Sequence, residues 1–334
     1  MTSPFPLNDV SLPSGGVILR SSDAVEFKVY KNILALASPV FKDMFSLPQP
    51  PQTSSNASSS SRGGGRTDGL PVVDLSEKSA TLRILLRMIY PVLPPSFKGV
   101  SSNGDVTDAA QLVKCVEPVL EAALKYDMRS VVKGLCSKLL DASNQVRADG
   151  RVIDGTLAVR VYVLACRFKL RDEACTAASA ALRGRVRGVF CDGMRNINAA
   201  HYFQLLEYHE KAVNAVLPLF QPENLPAEHR NLIKCDRCSS KNGRGFAKEV
   251  SEGWLNFFKK AEATIRLSPR SWEVFSDKFM DGSYKTARQC VNSGRLYDET
   301  DCARMVRNFQ PLSQYLRVKM EEAIIQIKFD LSEF

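Results

Sequence analysis

Histidine is scarce in this 334-residue chain: His201, His209 and His229 are all it has, against nine cysteines and two tryptophans. That leaves little room for histidine-based catalysis or a multi-histidine metal site. No run approaches the ~20 consecutive apolar residues that a membrane-spanning helix needs. The opening MTSPFPLNDVSLPSGG has no basic segment followed by an apolar stretch, so no secretory signal is expected. Catalytic signatures are missing too: there is no Gly-x-Gly-x-x-Gly after a strand, no Gly-x-x-x-x-Gly-Lys-Ser/Thr, no Gly-x-Ser-x-Gly and no His-Glu-x-x-His. The expectation is a chain that is not an enzyme, with no small-molecule substrate. The cysteines follow no regular spacing and read as reduced intracellular thiols, in the cytoplasm or the nucleus, rather than as a disulfide framework.

What is present fits an ordinary globular protein: 44% hydrophobic and 24% charged residues, enough for a core. The length allows two domains, or three. A net charge of +9 is mild over this length, and no two-Cys two-His finger, homeodomain or basic zipper accompanies it. The densest basic stretch, Arg183-Gly-Arg-Val-Arg187, reads first as a solvated helix end and loop, with a grip on phosphates as the alternative. Nucleic acid is therefore not the expected partner.

Two stretches interrupt the folded pattern. Residues 48–71 are dense in Pro, Ser and Gly, and 94–110 form a milder second case; both read as flexible insertions. Before the first, Val17-Ile18-Leu19 is an apolar run, and Val25, Phe27 and Val29 alternate with polar neighbours, the signature of a hairpin across Ser21-Ser22-Asp23. A helix at Ile33, Leu34, Leu36 and Ala37 breaks at Ser38-Pro39, where Ser38 is a natural cap for a second helix carrying Val40, Phe41, Met44 and Phe45. Val72 to Leu75 predicts a strand, Ser76 a helix cap, and Leu82, Leu85, Leu86 and Ile89 an amphipathic helix. A helix pair comes next, jointed at Asp127-Met128. Hairpin, helices, strand and more helices make an α+β order.

These residues resemble a BTB/POZ domain over about 14–141. The likeness rests on Val25 to Phe45, with its Ser38-Pro39-x-Phe41-x-x-Met44-Phe45 segment, on Val73-Asp-Leu75 with Leu85, Leu86, Ile89 and Tyr90, and on Ala123-x-x-Tyr126-x-Met128. It implies a small sheet flanked by helices, and a module that binds proteins and often itself, so that a homodimer is one expected assembly. It also implies a partner-binding surface drawing on Tyr30, Phe41, Met44, Phe45 and Leu47. Gly16 stands where members usually carry Asp, and Tyr30 where they carry His, a pair that shapes the dimer-side pocket. Some members present substrates to a cullin-type ubiquitin ligase through a hydrophobic-x-Glu step, where this chain has Leu47-Pro-Gln49.

Residues 161–182 echo 119–140: Ala165-x-x-Phe168-x-Leu170 matches Ala123-x-x-Tyr126-x-Met128. Shared hairpin geometry and true repetition both stand as readings. Val161 to Ala174 also resembles the segment after the domain in fungal members, implying a fungal chain. An all-helical remainder is expected, divided as a helical extension over 152–220 and a carboxy-terminal region over 221–334. Its helices include an apolar face from Trp254 to Ile265, another at Trp272, Phe275 and Phe279, and a closing stripe from Leu312 to Ile327 that reads as docking on the protein's own core.

The sharpest candidate site is Cys235-Asp-Arg-Cys238, the spacing with which a tight turn presents two thiolates to zinc. His229 is the nearest upstream candidate ligand, and His209 or Cys290 could complete four if the fold brings them close. A plain structural turn is the competing reading, a redox pair a third. The expected function is a protein-binding scaffold or adaptor without a required cofactor, with a structural zinc as the one exception. The alternatives are a nucleic-acid-associated transcriptional regulator and a ubiquitin-ligase adaptor.

Overall fold

The computed structural model describes residues 16–47, 70–90, 95, 97, 108–145, 155–235, 237–238, 248–292 and 301–331. The chain separates into two compact units, Met1–Val100 with Gln111–Lys138, and Ser101–Ala110 with Leu139–Phe334. The expected regions 152–220 and 221–334 both belong to the second.

In the first unit, strands β1 (Gly16–Arg20) and β2 (Glu26–Tyr30) pair antiparallel, with Val17 opposite Val29 and Leu19 opposite Phe27. The continuous apolar run of β1 is buried throughout, while β2 alternates. That contrast comes from position: β1 is the central strand, because β3 (Val72–Asp74) joins its other edge in parallel, giving the order β2-β1-β3. A strand covered on both faces has no solvent side to keep polar. Arg20, at the end of β1, spans the sheet by pairing with Glu26 at 2.9 Å and Asp74 at 3.3 Å.

Helices α1 (Lys31–Ala37) and α2 (Pro39–Ser46) come after β2. Ser38 separates them as expected: its hydroxyl accepts the Phe41 N–H at 3.1 Å, and proline opens α2. Helix α3 (Ser79–Ile89) corrects one expectation. Its cap is not Ser76; the Asp23 carboxylate, from the β1–β2 turn, accepts the Ser79 N–H at 2.7 Å and its hydroxyl at 2.6 Å. Those bonds hold the Asp23 carboxyl well below the usual carboxylate range. Ser76 instead accepts from Lys125 at 2.7 Å.

Helix α4 (Ala109–Lys125) begins inside the stretch expected to be the second insertion. The rest of both insertions lies outside the described residues, apart from 70, 71, 95, 97 and 108. Helix α5 (Arg129–Ser143) begins after a sharp bend and crosses the division between the units.

The second unit is helical, with α6 (Leu157–Arg167), α7 (Arg171–Ala181), α8 (Ala199–Val216), α9 (Ala227–Leu232), α10 (Glu252–Leu267), α11 (Asp277–Asn292) and α12 (Met305–Ile325). Asn198 caps α8 as expected, accepting the Ala200 N–H at 3.0 Å. Trp272, Phe275 and Phe279 do not share one helix: a short 3-10 turn, Trp272–Phe275, precedes α11. The apolar stripe of α12, Leu312, Leu316, Met320 and Ile324, is buried within the unit, so the docking reading describes it.

The bends after α4 and α6 are the same structure. The Met128 N–H donates to the Ala123 carbonyl at 2.7 Å, and the Leu170 N–H to that of Ala165 at 2.9 Å. The Asp127 and Lys169 N–H groups reach Leu124 and Cys166, at 3.1 and 3.2 Å, from left-handed backbone with φ of 48° and 55°. This double closure is a Schellman motif. The motif brings its C3 and C″ positions together, which accounts for an apolar residue at each, Ala123 with Met128 and Ala165 with Leu170.

Arg183 departs from the solvated reading. Its guanidinium lies over the Trp272 ring at 4.6 Å, with Arg317 at 4.5 Å from the same ring, and it donates to Asn144 at 3.0 Å. Arg270 beside them grips Glu321 through two bonds of 3.1 and 2.6 Å, while Trp272 Nε1 donates to that carboxylate at 3.3 Å. His201 and His209 are buried, and His209 Nε2 donates to the Leu267 carbonyl at 3.1 Å. Burial lowers its pKa, so it stays neutral near pH 7.

Candidate interaction surface and metal centre

Two arrangements carry functional potential. The first lies in the second unit, where Cys235, Cys238, Cys290 and Cys302 bring their sulfurs within 4.8 Å of one another. Cys235 ends a short two-stranded pairing: Lys234 bridges Val250, the Cys235 N–H donates to the Glu249 carbonyl at 3.2 Å, and the Ser251 N–H to that of Ile233 at 2.9 Å. Cys290 comes from the last turns of α11, and Cys302 from the 3-10 turn Asp301–Arg304 that leads into α12.

The Cys235 and Cys290 sulfurs stand 4.0 Å apart, and those of Cys238 and Cys302 3.2 Å apart. Burial acts to raise the Cys235 thiol, yet N–H groups of Cys238 and Arg237 aimed at its sulfur hold it below its ordinary value. Burial pushes Cys290 up to about 11 and raises Cys302 as well. Three of the four cysteines are buried and Cys238 is partly so.

His229 is outside this group. Its ring packs against Tyr315, 4.3 Å between centroids, and its Nε2 lies 3.7 Å from Glu228. Of the ligands weighed from sequence, the fold gathers Cys235, Cys238 and Cys290, and leaves His229 and His209 elsewhere. Cys302 is the addition. Chain distance hid it: no spacing rule ties a Cys-x-x-Cys to single cysteines so far downstream.

The second arrangement is the α1–α2 face of the first unit. Phe41 is 1% exposed, its ring stacked on Tyr126 at 4.7 Å, so it belongs to the core rather than to a contact surface. Met44 and Phe45 are half-buried, and Tyr30 likewise, its backbone N–H donating to the Tyr90 hydroxyl at 2.8 Å. Leu47 is 66% exposed, and on the two helices before it Leu36 is 91% and Val40 42% exposed, two residues whose helical spacing predicts buried faces.

Tyr126 holds this unit together. Its carbonyl accepts from the Ser38 hydroxyl, its ring covers Phe41, and its own hydroxyl donates to Glu77 at 2.7 Å. Glu77 also receives Lys125 at 2.8 Å, and those partners outweigh burial to keep its pKa low. The Ser38-Pro39-x-Phe41 and Ala123-x-x-Tyr126-x-Met128 segments are thus two halves of one contact.

The BTB/POZ domain family pattern matches residues 16–144. Residues 16–144 form a BTB/POZ domain. Such domains mediate protein–protein interaction, often dimerisation, and are typically non-catalytic. The domain's sheet, its polar keystones and the exposed α1–α2 face all fall inside the matched range; the thiol cluster falls outside it. No curated protein matches the chain. Among the described residues, no helix is long and apolar enough to cross a membrane.

Proposed function

We propose that this protein is a non-catalytic scaffold or adaptor that assembles with a second copy of itself through its BTB domain, using the apolar residues of the α1–α2 face. The exposure of Leu36, Val40 and Leu47 carries the reading. Burying a leucine side chain is worth about 1.5–3 kcal/mol, so leaving two in water without a partner forfeits a large stabilisation. Met44 and Phe45 would extend the contact, whereas Tyr30 would border it.

The charged groups of the BTB domain support a role without chemistry. In the cleft lined by Ser76, Glu77, Thr81, Glu121 and Lys125, Glu77 is engaged by Lys125 and Tyr126. They join α4 to the turn before α3. Two narrower roles draw less support. A transcriptional regulator contacting nucleic acid would draw on Arg183, Arg185 and Arg187, and of these Arg183 is spent on Trp272 and Asn144. A ubiquitin-ligase adaptor would use a carboxylate after α2, where the chain has Gln49. The likeness of Val161 to Ala174 to fungal members supports a fungal source, and the irregularly spaced thiols support the cytoplasm or nucleus.

The test is light scattering on the full chain across a concentration series, with Leu36→Glu/Leu47→Glu beside it. The wild type is expected to dimerise and the double variant to stay monomeric with an unchanged circular dichroism spectrum. A wild type that is monomeric throughout, or a variant that dimerises equally well, overturns the proposal.

A further inference from the structure

We propose that Cys235, Cys238, Cys290 and Cys302 bind a single zinc ion that clamps the amino-terminal ends of α10 and α12 to the end of α11.

The geometry points to this ion. Four thiolates around zinc, each with Zn–S near ~2.3 Å at the corners of a tetrahedron, stand roughly 3.8 Å apart. The sulfurs here lie within 4.8 Å of one another, and two of the pairs, at 3.2 and 4.0 Å, straddle that separation. They converge from three separate segments, so the closeness is not a by-product of a local turn. A set of four sulfurs without nitrogen or oxygen favours zinc or iron–sulfur chemistry over magnesium or calcium, and a closed four-ligand set is the structural rather than the catalytic arrangement.

On binding, the thiols release their protons to solvent, and the centre carries a net double negative charge beside Arg237 and Arg304 in sequence.

The surroundings show what the ion would accomplish. Next to the turn, α10 begins at close quarters with α11: a side chain at Gly253 would put its Cβ 2.9 Å from the Ser283 carbonyl. Trp254 then enters a ring cluster with Phe257 at 5.7 Å and Phe309 at 6.5 Å. One ion joining the turn, Cys290 and Cys302 would fix the three chain segments that frame this cluster.

The experiment uses the full chain purified under reducing conditions without added metal. Elemental analysis is expected to find one zinc per chain, and replacement by cobalt to give the strong thiolate charge-transfer absorption of a tetrahedral four-sulfur site. Cys290→Ser and Cys302→Ser should each weaken zinc binding by more than about 100-fold, beyond the range of outer-shell changes. His229→Ala and Cys191→Ser should retain the ion. Because the cobalt spectrum needs no variant, a misfolded substitution does not decide the matter. Metal-free protein that yields a weak octahedral cobalt spectrum overturns the proposal, as does iron in place of zinc.

Discussion

The two units close by different chemistry. In the BTB domain, polar side chains reach distant parts of the chain: Asp23 caps α3, Ser38 reaches the Tyr126 carbonyl, Tyr126 reaches Glu77, and the Tyr90 hydroxyl accepts the Tyr30 N–H at the end of β2. In the second unit the middle is filled by rings, with Trp254, Phe257 and Phe309 in mutual contact and Phe279 against Phe257, and a bidentate Arg270–Glu321 pair that also accepts from Trp272. A three-stranded sheet leaves many turns and helix ends whose N–H and C=O groups need partners, so side chains specialise in supplying them. Helices satisfy their own backbone and ask mainly for volume to be filled.

The largest expected effect tests the ring-filled side of that contrast. Trp254→Ala, at a position 1% exposed, should cost about 3–5 kcal/mol and lower the denaturant midpoint sharply. The remaining tryptophan, Trp272, lies in the same unit, so its fluorescence reports the loss directly. A change below about 1 kcal/mol, by the scale of ordinary surface substitutions, would mean that the cluster is dispensable.

A smaller effect probes the polar side. Tyr126→Phe keeps the ring on Phe41 and removes the hydroxyl that Glu77 accepts, for an expected cost of about 1–3 kcal/mol. Far-ultraviolet dichroism should show the loss more strongly than tryptophan fluorescence, since both tryptophans are in the other unit. Equal shifts in the two signals would break the contrast between units.

The smallest effect is a pH dependence. Asp23 is held ionised by Ser79 in the folded state, so its pKa is lower folded than unfolded. Its stabilisation is complete above the unfolded value of about 3.9 and is lost as pH falls toward the folded one, because the unfolded chain takes up the proton first. Thermal midpoints measured from about pH 6 down to about pH 3 should fall less steeply for Asp23→Asn than for the wild type. Parallel curves would remove Asp23 from the acid response.

Some features were legible because they are local. The Ser38-Pro39 break, the Asn198 cap and the matching bends after α4 and α6 depend on bonds spanning a few residues, and their patterns survive in the order of amino acids. Ser76 misled because a serine before a helix has the local form of a cap; the carboxylate that does the capping arrives from the β1–β2 turn. Leu36 stays in water for a similar reason, whereas Phe41, placed at a partner surface by the resemblance, lies buried under Tyr126. Helical spacing marks a face, but which neighbours cover that face depends on Tyr126 and on the rest of the unit.

By itself, then, the amino-acid order determined the sheet-and-helix order of the BTB domain and the helical character of the second unit, since periodicity and capping act over neighbouring residues. The tertiary structure decided which thiols meet, which apolar residues stay in water and which carboxylate serves which helix. Those outcomes join positions tens of residues apart, and no local preference encodes the path of the chain that brings Cys235 to Cys302.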